Sequence, residues 1–595
     1  MTYTAPLRDM RFVLTELIGL DRIAALPGCD GVSPELVDAV LDEAGKFARD
    51  VLAPINQSGD LQGARWSDGE VKTPDGFADA YARYVAGGWN ALSCDPEHGG
   101  QGLPAVVAAA VEEMWHGANM AFGLCPLLTR GAIEALQLCG TEAQKERYLP
   151  KLVEGTWTGT MNLTEPQAGS DLSAVRTRAE PDGELFRIRG QKIYITYGEH
   201  DMAENIVHLV LARLPGAPEG VRGISLFVVP KFLAGEDGAL GQRNDVRCVS
   251  IEHKLGIHAS PTAVLAYGDG PGALGELVGE PNRGLEYMFV MMNAARFQVG
   301  LEGLAISERA WQQALAYARD RVQGVEAGVR GGGKVAIIKH PDVRRMLMEM
   351  KSRTEAMRAL AYVTAFALDT AARHPDPEGR AKAQARADLL IPVVKGWCTE
   401  SAIEVASIGV QVHGGMGFIE DTGAAQHLRD ARITTIYEGT TGIQANDLIG
   451  RKIGRDGGRA ARDALAEMRA DAALLPDDGD LGVVRAGLER GIALLSECVE
   501  WVAETHAVDP RATAAGAAPL LELFGVVAGG WQTGRAALAA HGKLGDNADR
   551  DFYAAKISTA RFYADHVLAQ AHGLAHAVLH GAPGVLALDE AQFAA

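Results

Sequence analysis

The run Glu184–Thr196, ELFRIRGQKIYIT, interrupts a chain that otherwise reads as helix on both sides. Phe186, Ile188, Ile193 and Ile195 take the apolar positions of an alternating pattern, the mark of a half-buried strand. NIVHLVLARL (205–214), GISLFVVP (223–230), VRCVSIEH (246–253) and TAVLAYGD (262–269) are further short β-rich runs bounded by Gly, Pro, Asp and Asn. Their spacing predicts a compact antiparallel sheet or barrel between about residues 159 and 279.

Toward the N-terminus the period is helical. Ser33-Pro34-Glu35 supplies an N-cap, N1 and N2, and Leu36, Val37, Val40, Leu41, Ala44 and Phe47 follow at helical intervals. The pattern runs to about Val153, broken by the loop Asp95–Gly102. Past the strands, helices return from about Gly284 and are long. Val343, Met346, Met350, Met357 and Leu360 form a stripe that reads as core filler. Another helical pattern spans Leu389–Val412. The Ala-rich portion from about 453 to 595 carries a seam of Tyr553, Ile557, Ala560, Ala564, Val567, Ala571 and Leu574. Such a seam predicts a partner helix, within the chain or across a dimer.

The expected fold class is therefore α+β. We divide the chain into an N-terminal extension (1–33), an N-terminal helical domain (34–158), a β domain (159–280), a helical bundle domain (281–452) and an additional C-terminal helical domain (453–595). A length of 595 residues suits about four folding units.

Composition narrows the function. The net charge of −19 argues against a nucleic-acid partner, which needs a basic face, and against an anionic membrane surface. The seven cysteines are scattered, with no C-x-x-C, so buried thiols in a reducing, cytoplasmic setting are expected rather than a disulfide or zinc framework. The N-terminus lacks a signal-peptide core, and no run of about 18 apolar residues suggests membrane insertion. Gly328–Lys334, GVRGGGK, has phosphate-loop spacing at first sight. Val335 stands where Ser or Thr should follow, and a helix rather than a strand precedes it, so it reads as a flexible loop.

Three stretches carry possible chemistry. Met161–Ser173, MNLTEPQAGSDLS, offers backbone N–H groups and the hydroxyls of Thr164, Ser170 and Ser173 to a polar ring or phosphate, or is a turn capped by Ser170 or Asp171. Gln191–Asp201 places Tyr194 and Thr196 on one side of a strand, to line a flat cofactor or form an ordinary cross-strand pair. Gln411–Asp421, QVHGGMGFIED, has glycines that admit a ligand or end a helix, and His413 alone reads as a core histidine. Then comes Arg432–Lys452, RITTIYEGTTGIQANDLIGRK, in which the carboxylate Glu438 has Ile436 and Tyr437 before it and Gly439, Thr440, Thr441, Gly442 and Ile443 after it.

In order and spacing, LTEPQAGSDL, QKIYIT, QVHGGMGF and RITTIYEGTTGIQ resemble the acyl-CoA dehydrogenase family over roughly residues 35–450. The extra segment at each end, including YTAPLRDMRFVL, is similar to the longer bacterial subfamily that includes 3-methylthiopropionyl-CoA and fatty acyl-CoA dehydrogenases. The resemblance implies an N-terminal helical domain, a central β-barrel and a four-helix bundle, with FAD between barrel and bundle and no metal. It implies cofactor contacts at Met161, Leu163, Thr164, Gly169 and Ser170, and at Tyr194, Ile195 and Thr196, with Tyr194 standing where many relatives have Trp. Gln411, Val412, His413, Gly414 and Gly415, and less closely Arg321, Gln323 and His340, match stretches that touch FAD bound mainly by a neighbouring subunit. Gly439, Thr440 and Thr441 complete the cofactor set. Ser170, Arg296, Tyr437, Glu438 and Gly439 match the acyl-CoA site, while Asn293 stands where many relatives have Asp.

Glu438 matches the family's catalytic base. The implied reaction is α,β-dehydrogenation of an acyl-CoA to a trans-2,3-enoyl-CoA. Glu438 takes the α-proton and flavin N5 the β-hydride, and electrons pass to an electron-transfer flavoprotein. A homodimer is implied. The same fold serves acyl-CoA oxidases, which use oxygen, and a DNA-associated flavoprotein, which would favour a basic C-terminal portion that this chain does not have.

Overall fold

The computed structural model describes residues 3–235, 238–545 and 548–595. Leu7–Phe12 forms α1. Pro34–Phe47 forms α2, capped as expected by the Ser33 hydroxyl, which accepts the Leu36 N–H at 3.2 Å. Phe77–Ala86 (α3), Ala105–Cys139 (α4) and Glu142–Glu154 (α5) complete the first helical layer.

The strands are β1 (Trp157–Asn162), β2 (Arg178–Asp182), β3 (Leu185–Thr196), β4 (Asn205–Arg213), β5 (Ile224–Pro230), β6 (Val246–Ile251), β7 (Thr262–Tyr267) and β8 (Ala273–Val278). They pair in the order β6–β7–β3–β8–β5–β4–β1. β2 pairs with β3 and, at Arg178 and Arg213, with β4, which closes a barrel. Of the antiparallel sheet or barrel expected, the barrel forms, with one difference: β1 runs parallel to β4, from Trp157–Asn205 to Asn162–Val210.

ELFRIRGQKIYIT forms one strand with a bulge. Against β7, Ala263 faces Ile195 and Leu265 faces Lys192, so Ile193 and Tyr194 together oppose one residue. A bulge shifts the phase of a strand by one. That is why Ile188 and Ile195, an odd number of residues apart, are both buried in the same core. Tyr194 absorbs the bend with φ +61°.

Gly284–Asp320 (α6), Pro341–Arg373 (α7), Pro377–His413 (α8), Ala424–Thr434 (α9) and Thr441–Asp447 (α10) make the bundle. A Cβ on Gly303 of α6 would lie 2.6 Å from the Cys398 carbonyl of α8, so glycine is what lets the two backbones approach. The methionine stripe is core: Met346, Met350, Met357 and Leu360 are buried. The short hairpin β9 (Val322–Val325) and β10 (Lys334–Ala336) carries the glycine-rich loop at its exposed tip.

The last block comprises Arg459–Ala473 (α11), Gly479–Thr505 (α12), Ala517–His541 (α13), Arg550–His566 (α14) and Ala571–His580 (α15). The expected seam is split by a short turn after Val567 and is closed within the chain, where Ala564 meets Gly487 of α12. The N-terminal extension is built into the same joint. Tyr3 is fully buried, and Asp9 accepts hydrogen bonds from Arg358 of α7 (2.5 Å) and from Lys556 of α14. Among the described residues no helix is long and apolar enough to cross a membrane.

Candidate active site

A cleft of about 950 Å³ opens between the barrel and the bundle. The barrel wall is Met161 at the end of β1, Leu163, Thr164, Gly169 and Ser170 in the loop after it, and Tyr194, Ile195 and Thr196 at the end of β3. Two buried charges hold these segments together. Lys192 Nζ donates to Glu165 Oε1 (2.8 Å) and to the Leu163 carbonyl (2.9 Å). Glu165 also accepts the Arg176 and Thr177 N–H groups and the Thr177 hydroxyl. The Ile193 N–H donates to the Thr164 carbonyl at 2.9 Å. Burial lowers Lys192 to about 8, with Glu165 opposing. Neither Glu165 nor Lys192 was singled out from the sequence, although they sit inside LTEP and QKIYIT.

The bundle wall is Leu285, Phe289, Met292 and Arg296 of α6, with Ile436–Thr440 beyond α9 and Asp447 at the end of α10. Arg296 is buried and lies 3.3 Å from Asp447. Thr440 caps α10 by accepting the Ile443 N–H. Thr441 does not line the cleft; its hydroxyl donates to Glu400 at 2.6 Å, because the start of α10 turns it away.

Glu438 lines the cleft, partly exposed to it, with φ +55°. A non-glycine residue in that region costs of order 1–3 kcal/mol and persists only when its surroundings impose it. The surroundings are visible. Gln444 Nε2 donates to the carbonyls of Glu438 (3.2 Å) and Gly439 (3.1 Å), and Lys395 Nζ donates to Gly439 at 2.7 Å. Burial raises the Glu438 carboxyl to about 7, with Arg296 and Lys395 pulling it down. Among the described residues, no acceptor takes the Glu438 N–H.

The remaining residues expected from the sequence lie off this cleft. Gly414 and Gly415 are exposed, with open space where a Cβ would stand. Gln411 is exposed, and Val412 is buried. His413 stacks on Tyr317 at 4.4 Å and bonds the Gly409 carbonyl through Nδ1 (2.7 Å), as the core-histidine reading expects. Arg321 and Gln323 are exposed at the hairpin, where His340 Nε2 meets the Gln323 carbonyl at 2.7 Å.

Family models match four consecutive parts of the chain. They describe an acyl-CoA dehydrogenase N-terminal domain (35–156), middle domain (160–269) and C-terminal domain (282–453), and an acetyl-CoA dehydrogenase C-terminal-like region (464–589). The chain belongs to the acyl-CoA dehydrogenase family. It is 53% identical to the 3-methylmercaptopropionyl-CoA dehydrogenase of Ruegeria pomeroyi, covering 96% of this chain and 97% of that one. It is 35% identical to a butyryl-CoA dehydrogenase of Syntrophomonas wolfei, covering 95% of each. An acyl-CoA dehydrogenase of Bacillus anthracis, solved in complex with FAD, has the same fold, with a TM-score of 0.74 at 20% identity over 94% of this chain and 90% of that one.

This acyl-CoA dehydrogenase is an oxidoreductase of the long subfamily, and FAD is the cofactor of its Bacillus anthracis structural neighbour. The two walls of the cleft fit that group. The exposed ring of Tyr194, the hydroxyls of Thr164, Ser170, Thr196 and Thr440, and the open backbone at Gly169 suit a flat polar ring with a phosphate tail.

Proposed function

We propose that this cleft converts an acyl-CoA thioester to the trans-2,3-enoyl-CoA with Glu438 as the base. The observation that carries the reading is the Glu438 carboxyl, which stands on the cleft wall and is raised to about 7 by burial. A thioester α-proton is weakly acidic, and a base poised near the working pH removes it most effectively. Bound FAD supplies the acceptor for the hydride that leaves Cβ. The unpaired Glu438 N–H is available to the thioester oxygen as negative charge gathers there. Arg296 lowers the energy of the ionised base, and Ser170, Tyr437 and Gly439 line the substrate path.

The acyl group we assign is 3-methylthiopropanoyl or a fatty acyl chain, following the relatives' names. Electrons pass to an electron-transfer flavoprotein. We assign Gln411–Gly415, Arg321, Gln323 and His340 to the cofactor of a second copy in a homodimer. Exposed Gly414 and Gly415, beside exposed Met416, Phe418 and Ile419, support that assignment. We place the division of the chain at 33, 158, 280 and 452. The seven free thiols fit the reducing cytoplasm.

Anaerobic titration of the flavin-loaded protein with a panel of acyl-CoAs tests the reading. Bleaching by wild type but not by Glu438→Gln is expected. Bleaching that survives in the variant removes Glu438 as the base. Oxygen consumption matching turnover would reassign the protein as an oxidase.

A further inference from the structure

Behind the cleft wall lies a second acid that the reaction does not use. Glu302 of α6 is fully buried and does not line the cleft. Its Oε2 accepts the Tyr437 hydroxyl, and its Oε1 has no partner. Tyr437 is the residue immediately before Glu438. The tripeptide Tyr437–Gly439 is thus held from three helices: by Glu302 of α6, by Lys395 of α8 at the Gly439 carbonyl, and by Gln444 of α10 at two carbonyls. This grip surrounds a backbone that Glu438 would not adopt unaided.

We propose that Glu302 is a positioning residue of this dehydrogenase: its carboxyl, as a neutral acceptor for the Tyr437 phenol, keeps the Glu438 backbone left-handed and its carboxylate aimed into the cleft. The role rests on Glu438 being the base.

The neutral form follows from the setting. An ionised carboxylate would leave one oxygen both charged and unpaired in the interior. Burial accordingly raises Glu302 to about 8, outweighing the Tyr437 hydrogen bond and Lys395, while Glu438 pushes the same way as burial. The charged and titratable groups around the bond are Tyr437 and Glu438 from the loop, Lys395 from α8, Asp430 from α9 and Arg296 from α6.

The test compares Glu302→Gln, Glu302→Leu and Tyr437→Phe by rapid anaerobic flavin bleaching from pH 5.5 to 9, after flavin content and melting temperature are checked. Glutamine keeps a neutral acceptor, so Glu302→Gln should stay within about threefold of wild type with the same pH midpoint. Glu302→Leu removes the acceptor. Its rate should fall at least about tenfold, and its midpoint should move down by about one pH unit as Glu438 relaxes toward water. Tyr437→Phe breaks the same bond with little change of volume and should reproduce that shift, so it decides the matter if the leucine variant does not fold. Proton uptake on binding a 2,2-dimethylacyl-CoA, which has no α-proton to lose, gives a readout without turnover. The shift should appear there too. Wild-type rate and midpoint in a folded Tyr437→Phe, or equal losses in Glu302→Gln and Glu302→Leu, overturn the role of Glu302 while leaving Glu438 as the base. A wild type bleached by no acyl-CoA overturns both.

Discussion

Glu438 and Glu302 are two acids in similarly apolar surroundings that differ in access to the cleft. The first has an open face, so its raised pKa bears on chemistry. The rate kcat/KM is expected to climb about tenfold per pH unit below 7 and to level off above it. Glu438→Gln should lower the rate of flavin bleaching by about 10²–10⁴-fold. The same shift has a cost in stability. The folded state holds this proton to a higher pH than the unfolded chain, so stability falls as pH rises from about 4.3 to 7. Glu438→Gln should therefore melt higher than wild type at pH 8, by roughly 1–2 kcal/mol, with the gap closing at pH 4.5. A gap that stays constant with pH would show that burial does not raise Glu438.

At the scale of elements, the barrel wall depends on how the loop after β1 is tied to β3. The tie is the buried Glu165–Lys192 pair, surrounded by hydrogen bonds. Removing one partner of such a pair leaves an uncompensated charge and costs about 3–5 kcal/mol. Lys192→Met should lose that much stability in denaturant melts and shed flavin on gel filtration. Glu165→Gln with Lys192→Met should cost less than the two single changes summed. The motifs LTEP and QKIYIT were legible as two distinct segments, and both line one wall of the cleft. That they meet through an ion pair was not, because residues 27 apart are joined only once the strands register. The bulge at Ile193–Tyr194 is a similar case. The apolar residues change parity between Ile188 and Ile193, but only pairing with β7 locates the extra residue.

Across the whole molecule, the two ends of the chain meet on the bundle. Asp9 binds Arg358 of α7 and Lys556 of α14, while Arg358 also binds Glu113 and Glu308. Burial pushes the Asp9 carboxyl up, but Lys556 and Arg358 outweigh it and hold it well below the usual range. Its stabilisation is thus present above about pH 4 and is lost as the pH falls further. Asp9→Asn should lower the melting temperature at pH 7, by an amount worth about 3 kcal/mol, with the difference shrinking as the pH falls from about 4 and closing only well below pH 3. If the difference persists there, the carboxylate charge is not what joins the extension to the C-terminal block. The sequence showed an extension at each end and an apolar seam, yet nothing in it announced that a single acid at position 9 would join them.

The sequence by itself determined the α–β–α order, the family and the segments that form the cleft, because local periodicity and short motifs are written in neighbouring residues. The tertiary structure alone decided barrel closure through β2, the inward fate of the C-terminal seam, the turning of Thr441 toward Glu400, and the grip of Glu302, Lys395 and Gln444 on the Glu438 backbone. Those features are contacts between residues far apart in the chain. Their energies come from burial and from hydrogen bonds that exist only once the helices and strands have packed.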